Sequence, residues 1–240
     1  MPEDLKGRRK EAYVEGLFSS IAPKYDLLNS VLSLSRHKAW RRYAVSKSGL
    51  EHGGSALDVC CGTGDFAFEL AKRAGAGGRI VGIDFSLPMI ELARRKAKRR
   101  AHRSVSFLAA NVCALPFAND SFDCVTIGFG LRNVADVGVA LAEMARVTRP
   151  GGKVISLEIS RVRSALVSLP WRLYFYALTP YTATAFRTKR EAYEYLPRSV
   201  KEFMSREELS KEFGDCGLRD VACRDLTFGA VCVHIGTKPA

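Results

Sequence analysis

The chain has 240 residues, of which 47% are hydrophobic and 26% charged, and its formal net charge is +12. This composition is typical of a globular protein that is long enough to bury a sizeable core. No stretch reaches the roughly 18 uncharged apolar residues of a spanning helix, and the polar first eleven residues argue against a signal peptide. We therefore expect a cytoplasmic protein, and contact with the inner face of a membrane stays open.

Short β-rich runs alternate along the chain with helical patterns. Residues 1–52 precede the first strand and look helical. Strands are predicted at Ala56–Cys60, Arg79–Asp84, Val105–Ala110, Phe122–Gly128 and Lys153–Ile159, and helices near 65–74, 86–102 and 136–148. This alternation indicates βαβ units and a parallel sheet with helices on both faces.

The last third of the chain departs from this rhythm. Residues 161–203 interrupt it and are predicted to form a lid on the core. Runs 218–226 and 230–238 are only three residues apart, which is too short for a parallel crossover and predicts an antiparallel hairpin. We predict one α/β domain over 1–240, with a Rossmann-like, mostly parallel, seven-stranded sheet. Its parts are a cap (1–52), a core (53–160), the lid (161–203) and the last helix with the hairpin (204–240).

The seven cysteines follow no ligand pattern. No C-x-x-C occurs, and no cysteine has a histidine at zinc-finger spacing, so no metal site is predicted. The odd, unpatterned count predicts reduced thiols. A disulfide between the adjacent Cys60 and Cys61 would need a distorted peptide where a strand ends.

Positive charge is concentrated in two stretches. Residues 94–103 hold seven Lys or Arg and no acid, and Ile159–Arg190 holds six basic and six aromatic residues without an acid. Such charge suits nucleic acid, an anionic membrane surface or an acidic substrate. A solvated helix face explains the first stretch equally well.

The stretch LDVCCGTGD (57–65) predicts a strand, a Gly-x-Gly turn and a helix. A triphosphate loop would need a lysine directly after the glycines, and none occurs before Lys72. A dinucleotide loop stays open, because Ala67 at the third glycine position is tolerated. Asp58 and Asp65 place negative charge beside the loop, which opposes a pyrophosphate and favours a ligand with an amine and a sulfonium.

LDVCCGTGD followed by VGIDFS resembles motifs one and two of the class I S-adenosylmethionine-dependent methyltransferases. The resemblance implies that the loop backbone binds S-adenosylmethionine while the thiols fill small positions. Asp84, 20 residues after Gly64, can accept both ribose hydroxyls; the alternative is a helix N-cap, for which Ser86 is available. Asn111 and Val112 would lie beside adenine, unless Asn111 is only a polar turn residue. The implied cofactor-binding residues are Asp58, Gly62, Thr63, Gly64, Asp84, Phe85, Met89, Asn111, Val112 and Gly128.

Four further segments narrow the class. They are FSSIAPKYDLLNSVLSLSRHKAWRR (18–42), TIGFGLRNVAD (126–136), EAYEYLPRSVKEF (191–203) and DLTFGAVCVHIGTK (225–238). Together they resemble the ubiquinone/menaquinone-biosynthesis C-methyltransferase family, which implies methylation of a ring carbon on a polyprenylated quinol. The chain departs from the family pattern near the expected acceptor lid, at Ile159, at Phe228 and at Thr188-Lys189-Arg190.

The resemblance also implies roles on the acceptor side. Arg132 would stabilise the quinol oxyanion and Asn133 would orient it or a water, unless Arg132 pairs with Asp136. Tyr25, with Asp26, would close over cofactor and acceptor, unless Tyr25 is plain core. His37 and His234 titrate nearest to pH 7, but neither is assigned a role.

The expected partner is a lipophilic quinol, reached at an anionic membrane surface through the Ile159–Arg190 stretch. No nucleic acid is expected, because the N/D-P-P-[YFW] motif of amino-modifying enzymes is absent. A homodimer stays open. The alternative function is a C- or O-methyltransferase for a soluble aromatic or terpenoid, which would use the same loops and a different lid.

Overall fold

Strands and helices alternate in the computed structural model, which describes residues 7–100, 102, 104–162 and 190–240. The strands are β1 (Ser55–Val59), β2 (Arg79–Asp84), β3 (Val105–Ala109), β4 (Phe122–Gly128), β5 (Thr148–Ile159), β6 (Arg219–Leu226) and β7 (Val231–Thr237). The helices are α1 (Arg8–Ile21), α2 (Tyr25–Leu32), α3 (His37–Ser46), α4 (Asp65–Ala74), α5 (Leu87–Arg99), α6 (Val137–Val147), α7 (Arg190–Glu202) and α8 (Arg206–Asp215). Single 3₁₀ turns cover Ala22–Lys24, Leu131–Asn133 and Thr227–Gly229.

The seven strands form one sheet in the order β3-β2-β1-β4-β5-β7-β6. Only β7 runs against the others, and it pairs in antiparallel fashion with both β5 and β6. The predicted Rossmann-like sheet and its antiparallel C-terminal hairpin are therefore confirmed. Strand β5 begins earlier than predicted, because Thr148 already pairs with Phe122 before an irregularity in the register.

The side-chain period of the strands divides the core into two layers. Ala56 and Ile80 face α3, α4 and α5, whereas their neighbours Leu57 and Val81 face α6 and α8. Every residue of β1 is buried, as expected for a parallel strand covered on both faces. Helices thus cover both faces of the sheet, and loops lie at the carboxyl ends of its strands.

The N-terminal helix α1 packs against α7, which forms the last part of the predicted lid. Val14 and Leu17 of α1 form a small apolar cluster with Tyr195 of α7, and the rings of Tyr13 and Tyr195 are 6.0 Å apart. Most of the predicted lid (161–203) lies outside the described residues. Within the described part of the chain, no helix is long and apolar enough to cross a membrane.

Candidate active site

The strand order reverses between β1 and β4, and a crevice opens at their carboxyl ends, where α/β sheets bind ligands. Cys60 follows β1 with φ 51°, and Phe129 follows β4 with φ 60°. Side chains rarely adopt this left-handed backbone, and such residues are concentrated at functional sites. A Cβ on Gly130 would lie 2.6 Å from the Cβ of Cys60. A side chain at position 130 would therefore clash with Cys60, so glycine allows the segments after β1 and β4 to lie close together.

The glycine loop brings the N-terminus of α4 to this crevice. Gly64 stands at the N-cap with φ 86°, and a Cβ there would lie 2.6 Å from the ring of Phe107. The two cysteines of the loop are free thiols. Burial raises the pKa of both thiols well above the usual range. Both thiols are therefore neutral near pH 7, as expected for small side chains that only fill space.

Asp84 ends β2 and faces the crevice. Its carboxylate accepts the N–H groups of Gly62 and Ser86, each at 2.9 Å. Burial raises the pKa of this carboxyl, against the lowering effect of those two hydrogen bonds. The expectation that Ser86 caps α5 is wrong for its side chain, because its hydroxyl lies 3.0 Å from that of Ser19. Asp84 thus orders the glycine loop and also faces the ligand space.

Asp58 is fully buried beneath the loop. It accepts the N–H of Ala67 at 3.1 Å and the hydroxyl of Thr126 at 2.9 Å. Desolvation raises the pKa of Asp58 to about 7. Asp58 therefore fixes the start of α4 against β4 and gains its negative charge only near neutral pH.

The negative charge expected at Asp65 is compensated by two cations. Its carboxylate lies 2.7 Å from Lys96 and 3.5 Å from Arg41. Electrostatic attraction by Lys96 and Arg41 outweighs the opposing effect of burial and lowers the pKa of Asp65. The argument that Asp65 presents free negative charge to a ligand is therefore wrong.

One open cleft, with about 890 Å³ of empty space including its solvent-filled mouth, collects most of the predicted cofactor-binding residues. Tyr25, Asn133 and Glu15 also line it. The predicted residues in its wall are Gly62, Asp84, Phe85, Met89, Asn111, Val112 and Gly128.

The remaining predicted cofactor residues lie beside or behind this cleft. Asp58 and Thr63 line a smaller adjoining pocket, which also touches Tyr25 and Gly128. Gly64 is behind the loop and lines neither of the two spaces. Its role is therefore conformational, through its positive φ.

Asn111 closes the far side of the cleft. Its side-chain oxygen accepts the N–H of Cys113 at 2.9 Å, which is the polar-turn alternative. Its amide nitrogen also donates to Glu11 of α1 at 3.1 Å. Val112, directly beside it, is buried in the wall. Asn111 thus joins α1 to the edge of the sheet at the place predicted for adenine.

A second, apolar pocket adjoins the cleft. Phe18, Tyr25 and Phe129 line both spaces. The other lining residues are mostly apolar and come from α1, α2, α3, β5, β7 and α7: Leu17, Ile21, Leu28, Asn29, Leu32, Ser33, His37, Trp40, Arg132, Ile159, Tyr195, Leu196 and Val231. A polar cleft and an apolar pocket thus meet at three aromatic rings.

Arg132 lies in the 3₁₀ turn after β4, in the wall of the apolar pocket. Its Nη1 donates to Glu158 at 2.5 Å and to the Phe129 carbonyl at 2.7 Å. Its buried Nε has no hydrogen-bond partner among the described residues. Asp136, the alternative partner considered from the sequence, caps α6 instead through the N–H of Val139. The enclosed Nε–H group of Arg132 therefore lacks a partner within the described part of the chain.

Glu158, at the end of β5, is a site residue that sequence reasoning missed. It is almost fully buried and also accepts the backbone N–H groups of Arg132 (3.3 Å) and Ile159 (2.9 Å). The only sequence signal was an acid at the carboxyl end of a strand. Its three donors fix the Arg132 turn in place.

Asn133 and Tyr195 connect this turn to α7. The Tyr195 hydroxyl donates to the side-chain oxygen of Asn133 at 2.9 Å, and the Asn133 amide donates to the Phe129 carbonyl at 3.3 Å. Burial raises the pKa of Tyr195 to about 12, so it stays a donor. Asn133 faces the cofactor cleft and does not line the apolar pocket.

Tyr25 begins α2 and touches all three spaces. A Cβ on Gly62 would lie 3.5 Å from its ring, so the ring covers the glycine loop. Burial raises the pKa of its hydroxyl. Tyr25 thus lines the cleft and both pockets and is also a packed side chain, so both alternatives considered from the sequence apply to it.

Lys96 was also missed, because it belongs to the basic run 94–103. Its buried ammonium donates to Asp26 (2.8 Å), Asp65 (2.7 Å) and Thr63 (3.0 Å). The Thr63 hydroxyl in turn donates to Asp26. The available signal was its spacing, since Lys96 shares the buried face of α5 with Ala93 and Ala97. The network ties α2 to the cofactor loop.

The two histidines considered from the sequence, His37 and His234, lie in different places. His37 lines the apolar pocket, with Nδ1 2.6 Å from the Ser33 hydroxyl. Burial and the nearby charge of Arg41 lower the pKa of His37 to about 4, so it is neutral near pH 7. His234 is buried on β7 and lines neither space.

The sheet order, the glycine turn at the strand reversal and the carboxylate that ends β2 together define a Rossmann-like S-adenosylmethionine-dependent methyltransferase. Residues 6–238 match the ubiE/COQ5 methyltransferase family, and the chain belongs to that family. The family resemblance and the cofactor expected from the sequence are thereby confirmed.

Similar proteins align with this chain over nearly its whole length. A demethylmenaquinone methyltransferase of Shouchella clausii is 40% identical over 230 residues, which cover 96% of this chain and 98% of the relative. One from Bacillus velezensis is 41% identical over 229 residues, covering 95% and 98%. Among solved structures, a SAM dependent methyltransferase from Aquifex aeolicus has a TM-score of 0.64 at 17% identity, covering 88% of this chain and 96% of that one. The structural likeness shows the fold alone.

Proposed function

We propose that the enzyme methylates a ring carbon of a demethylmenaquinol-type polyprenylated quinol. The observation that carries the proposal is that the cofactor cleft and the apolar pocket adjoin and share Phe18, Tyr25 and Phe129 as lining residues. An in-line displacement needs the methyl carbon and the acceptor carbon in direct contact, about 3–3.5 Å apart, so the two ligands would meet where the two spaces join. The relatives are named demethylmenaquinone methyltransferases, and this supports a quinol as the acceptor.

The cleft has the chemistry that S-adenosylmethionine requires. Asp84 would accept the ribose hydroxyls, while Asn111 and the backbone of Val112 would lie at the adenine. The small pocket of Asp58 and Thr63 would hold the charged methionine end. Bound there, the cofactor supplies a methyl group activated by its sulfonium.

On the acceptor side, the guanidinium of Arg132, which lines the apolar pocket and has an unpartnered N–H, would donate to the quinol oxygen as negative charge develops on it. Glu158 compensates the guanidinium charge, so the contribution comes from a preorganised hydrogen bond rather than from a net charge. Asn133 and Tyr195 act through the turn and position Arg132. The apolar wall excludes water from the reacting carbon.

The test is methyl transfer from labelled S-adenosylmethionine to three reduced acceptors: demethylmenaquinol, a short-chain single-ring ubiquinol precursor and a soluble catechol. We expect the highest kcat/KM with demethylmenaquinol and the label on ring carbon. Arg132→Lys should lose turnover and keep cofactor binding. Efficient methylation of the catechol alone would favour the soluble-aromatic alternative.

We infer further that the enzyme reaches its acceptor at an anionic membrane surface, because a polyprenyl chain stays in the bilayer. Most of the Ile159–Arg190 stretch predicted for this contact lies outside the described residues. Among those described, Leu34 and Phe228 are 70% and 72% exposed. Leu34 follows Ser33 of the apolar pocket, and Phe228 follows Thr227, which accepts the indole N–H of Trp40 at 2.9 Å. Exposed apolar side chains beside the pocket suit interfacial insertion.

Co-sedimentation with vesicles tests this contact. We expect binding to anionic vesicles that weakens as salt rises, and poor binding to neutral ones. Trp171→Ala with Phe175→Ala should reduce activity on vesicle-borne quinol more than on a detergent-soluble short-chain analogue. Absence of vesicle binding at low salt would reject the membrane contact without touching the methyl-transfer proposal.

A further inference from the structure

Two cysteines and a histidine meet on the C-terminal hairpin, away from the cofactor cleft. Cys223 on β6 is the register partner of His234 on β7, and Cys232 lies two residues before His234. Residues two apart on a strand share a face, so all three side chains lie on one side of the hairpin. Their two Sγ atoms and one imidazole nitrogen lie within 4.8 Å of one another.

The histidine is oriented as a ligand. Its Nε2 is 3.0 Å from the carbonyl oxygen of Arg206. A carbonyl oxygen only accepts, so Nε2 carries the proton and Nδ1 keeps a lone pair. That Nδ1 is 3.7 Å from the Sγ of Cys232. Metal-binding histidines are commonly held in this way, by a backbone carbonyl at the other ring nitrogen.

The spacing of the donor atoms fits a small tetrahedral cation. Zinc–sulfur and zinc–nitrogen bonds of about 2.3 and 2.0 Å place neighbouring ligand atoms about 3.5–3.8 Å apart. The observed 3.7 Å between Cys232 and His234 falls in that range. Cys223 can complete the triangle by a side-chain rotation, since it is only half-buried.

The surroundings allow entry and leave room for a fourth ligand. Cys232 and His234 are buried, whereas Cys223 faces an open pocket with Asp225, Arg206, Glu207 and Ser210. Asp225 is held by the Arg206 side chain at 2.7 Å. A water from this pocket can therefore take the fourth position while the Asp225–Arg206 pair stays intact.

We propose that Cys223, Cys232 and His234 bind one Zn²⁺ per chain, with solvent as the fourth ligand. Two thiolates and an imidazole are donors that zinc prefers, and binding releases the two thiol protons. The ion would join β6 to β7, and Cys232 directly follows Val231, which lines the apolar pocket. The expectation of no metal site rested on short spacings, whereas strand pairing brings Cys223 within reach of Cys232, nine residues later.

The test uses the full chain, reduced, stripped with a chelator and titrated with Co²⁺ as a spectroscopic probe. We expect one Co²⁺ per chain with thiolate-to-cobalt charge-transfer bands, displaced by one equivalent of Zn²⁺. Cys223→Ser should weaken Co²⁺ binding at least tenfold, and Cys216→Ser, a partly buried thiol elsewhere, should not. Circular dichroism checks that both variants fold. Absence of stoichiometric binding, equal binding by the two variants, or a Cys223–Cys232 disulfide in place of the ion would overturn the proposal.

Discussion

The ammonium of Lys96 lies 2.8 Å from the carboxylate of Asp26, and this contact joins the core helix α5 to helix α2 of the N-terminal cap. The same ammonium holds Asp65, the first residue of α4. Tyr25, directly before Asp26, covers the glycine loop. One buried cation therefore sets the position of the N-terminal cap over the cofactor cleft.

Replacing Lys96 with Met should loosen this cap. The carboxylates of Asp26 and Asp65 would lose their shared donor, at a cost of about 1.5–3 kcal/mol of unfolding free energy. We expect weaker S-adenosylmethionine binding and faster hydrogen exchange in α2. The control is Lys98→Met on the exposed face of the same helix. Equal exchange in α2 of the two variants would show that the contact does not hold the cap.

Asp84→Asn should weaken S-adenosylmethionine binding by about 1.5–3 kcal/mol, because the amide cannot accept both ribose hydroxyls. Asn is a better test than Ala, since its oxygen still accepts the N–H of Gly62 or Ser86. Calorimetry measures the affinity, with the exposed Glu91→Gln as the control. Unchanged affinity in Asp84→Asn would refute the ribose assignment.

Arg132→Lys should lower kcat by about 10²–10³-fold, the effect of removing one oxyanion donor. Lysine keeps a cation for the buried Glu158 but has no Nε–H, and a lysine does not reproduce the guanidinium fork. Calorimetry should show that S-adenosylmethionine affinity is nearly unchanged.

The Arg132→Met, Glu158→Gln double variant separates stability from chemistry, because it removes both buried charges together. We expect it to fold and to be equally slow. Near-normal turnover in either variant would leave Arg132 with a structural role only.

The raised pKa of Asp58 predicts a pH-dependent stability. Between pH about 4 and 7 the native carboxyl keeps a proton that the unfolded one has lost. Its stabilising contribution is thus complete below pH about 4 and falls as pH rises to about 7. Among its neighbours, Arg41, Thr126 and the Ala67 N–H oppose this shift, and Asp84 adds to it.

Urea unfolding at pH 5, 6, 7 and 8 checks this effect against Asp58→Asn, which cannot titrate. The free-energy difference, wild type minus variant, should fall by up to about 1.4 kcal/mol per pH unit between pH 5 and 7. It should then level off. Parallel profiles of the two proteins would contradict the assignment.

Consecutive stretches of the sequence were enough to predict the cofactor side. A strand, the Gly62–Gly64 turn and a helix follow one another in the chain, so their geometry is local. Asp84 ends the next strand, and parallel neighbours bring their carboxyl ends to the same edge. The hairpin of β6 and β7 was equally predictable, because the three residues between the two runs exclude a crossover.

Pairs far apart in the chain were decided by tertiary structure alone. Arg132 meets Glu158 because β4 and β5 are neighbours, and Lys96 meets Asp26, 70 residues away, because α2 folds over α5. From the sequence, the partner considered for Arg132 as an alternative was Asp136, four residues later in the chain. A charged side chain can pair with any opposite charge that lies near it, whatever their separation along the chain. The strand order and the buried face of each helix therefore determine which pairs form. The sequence thus determined the sheet and the cofactor class, while the fold determined which cations the acids hold and which N–H of Arg132 is left without a partner.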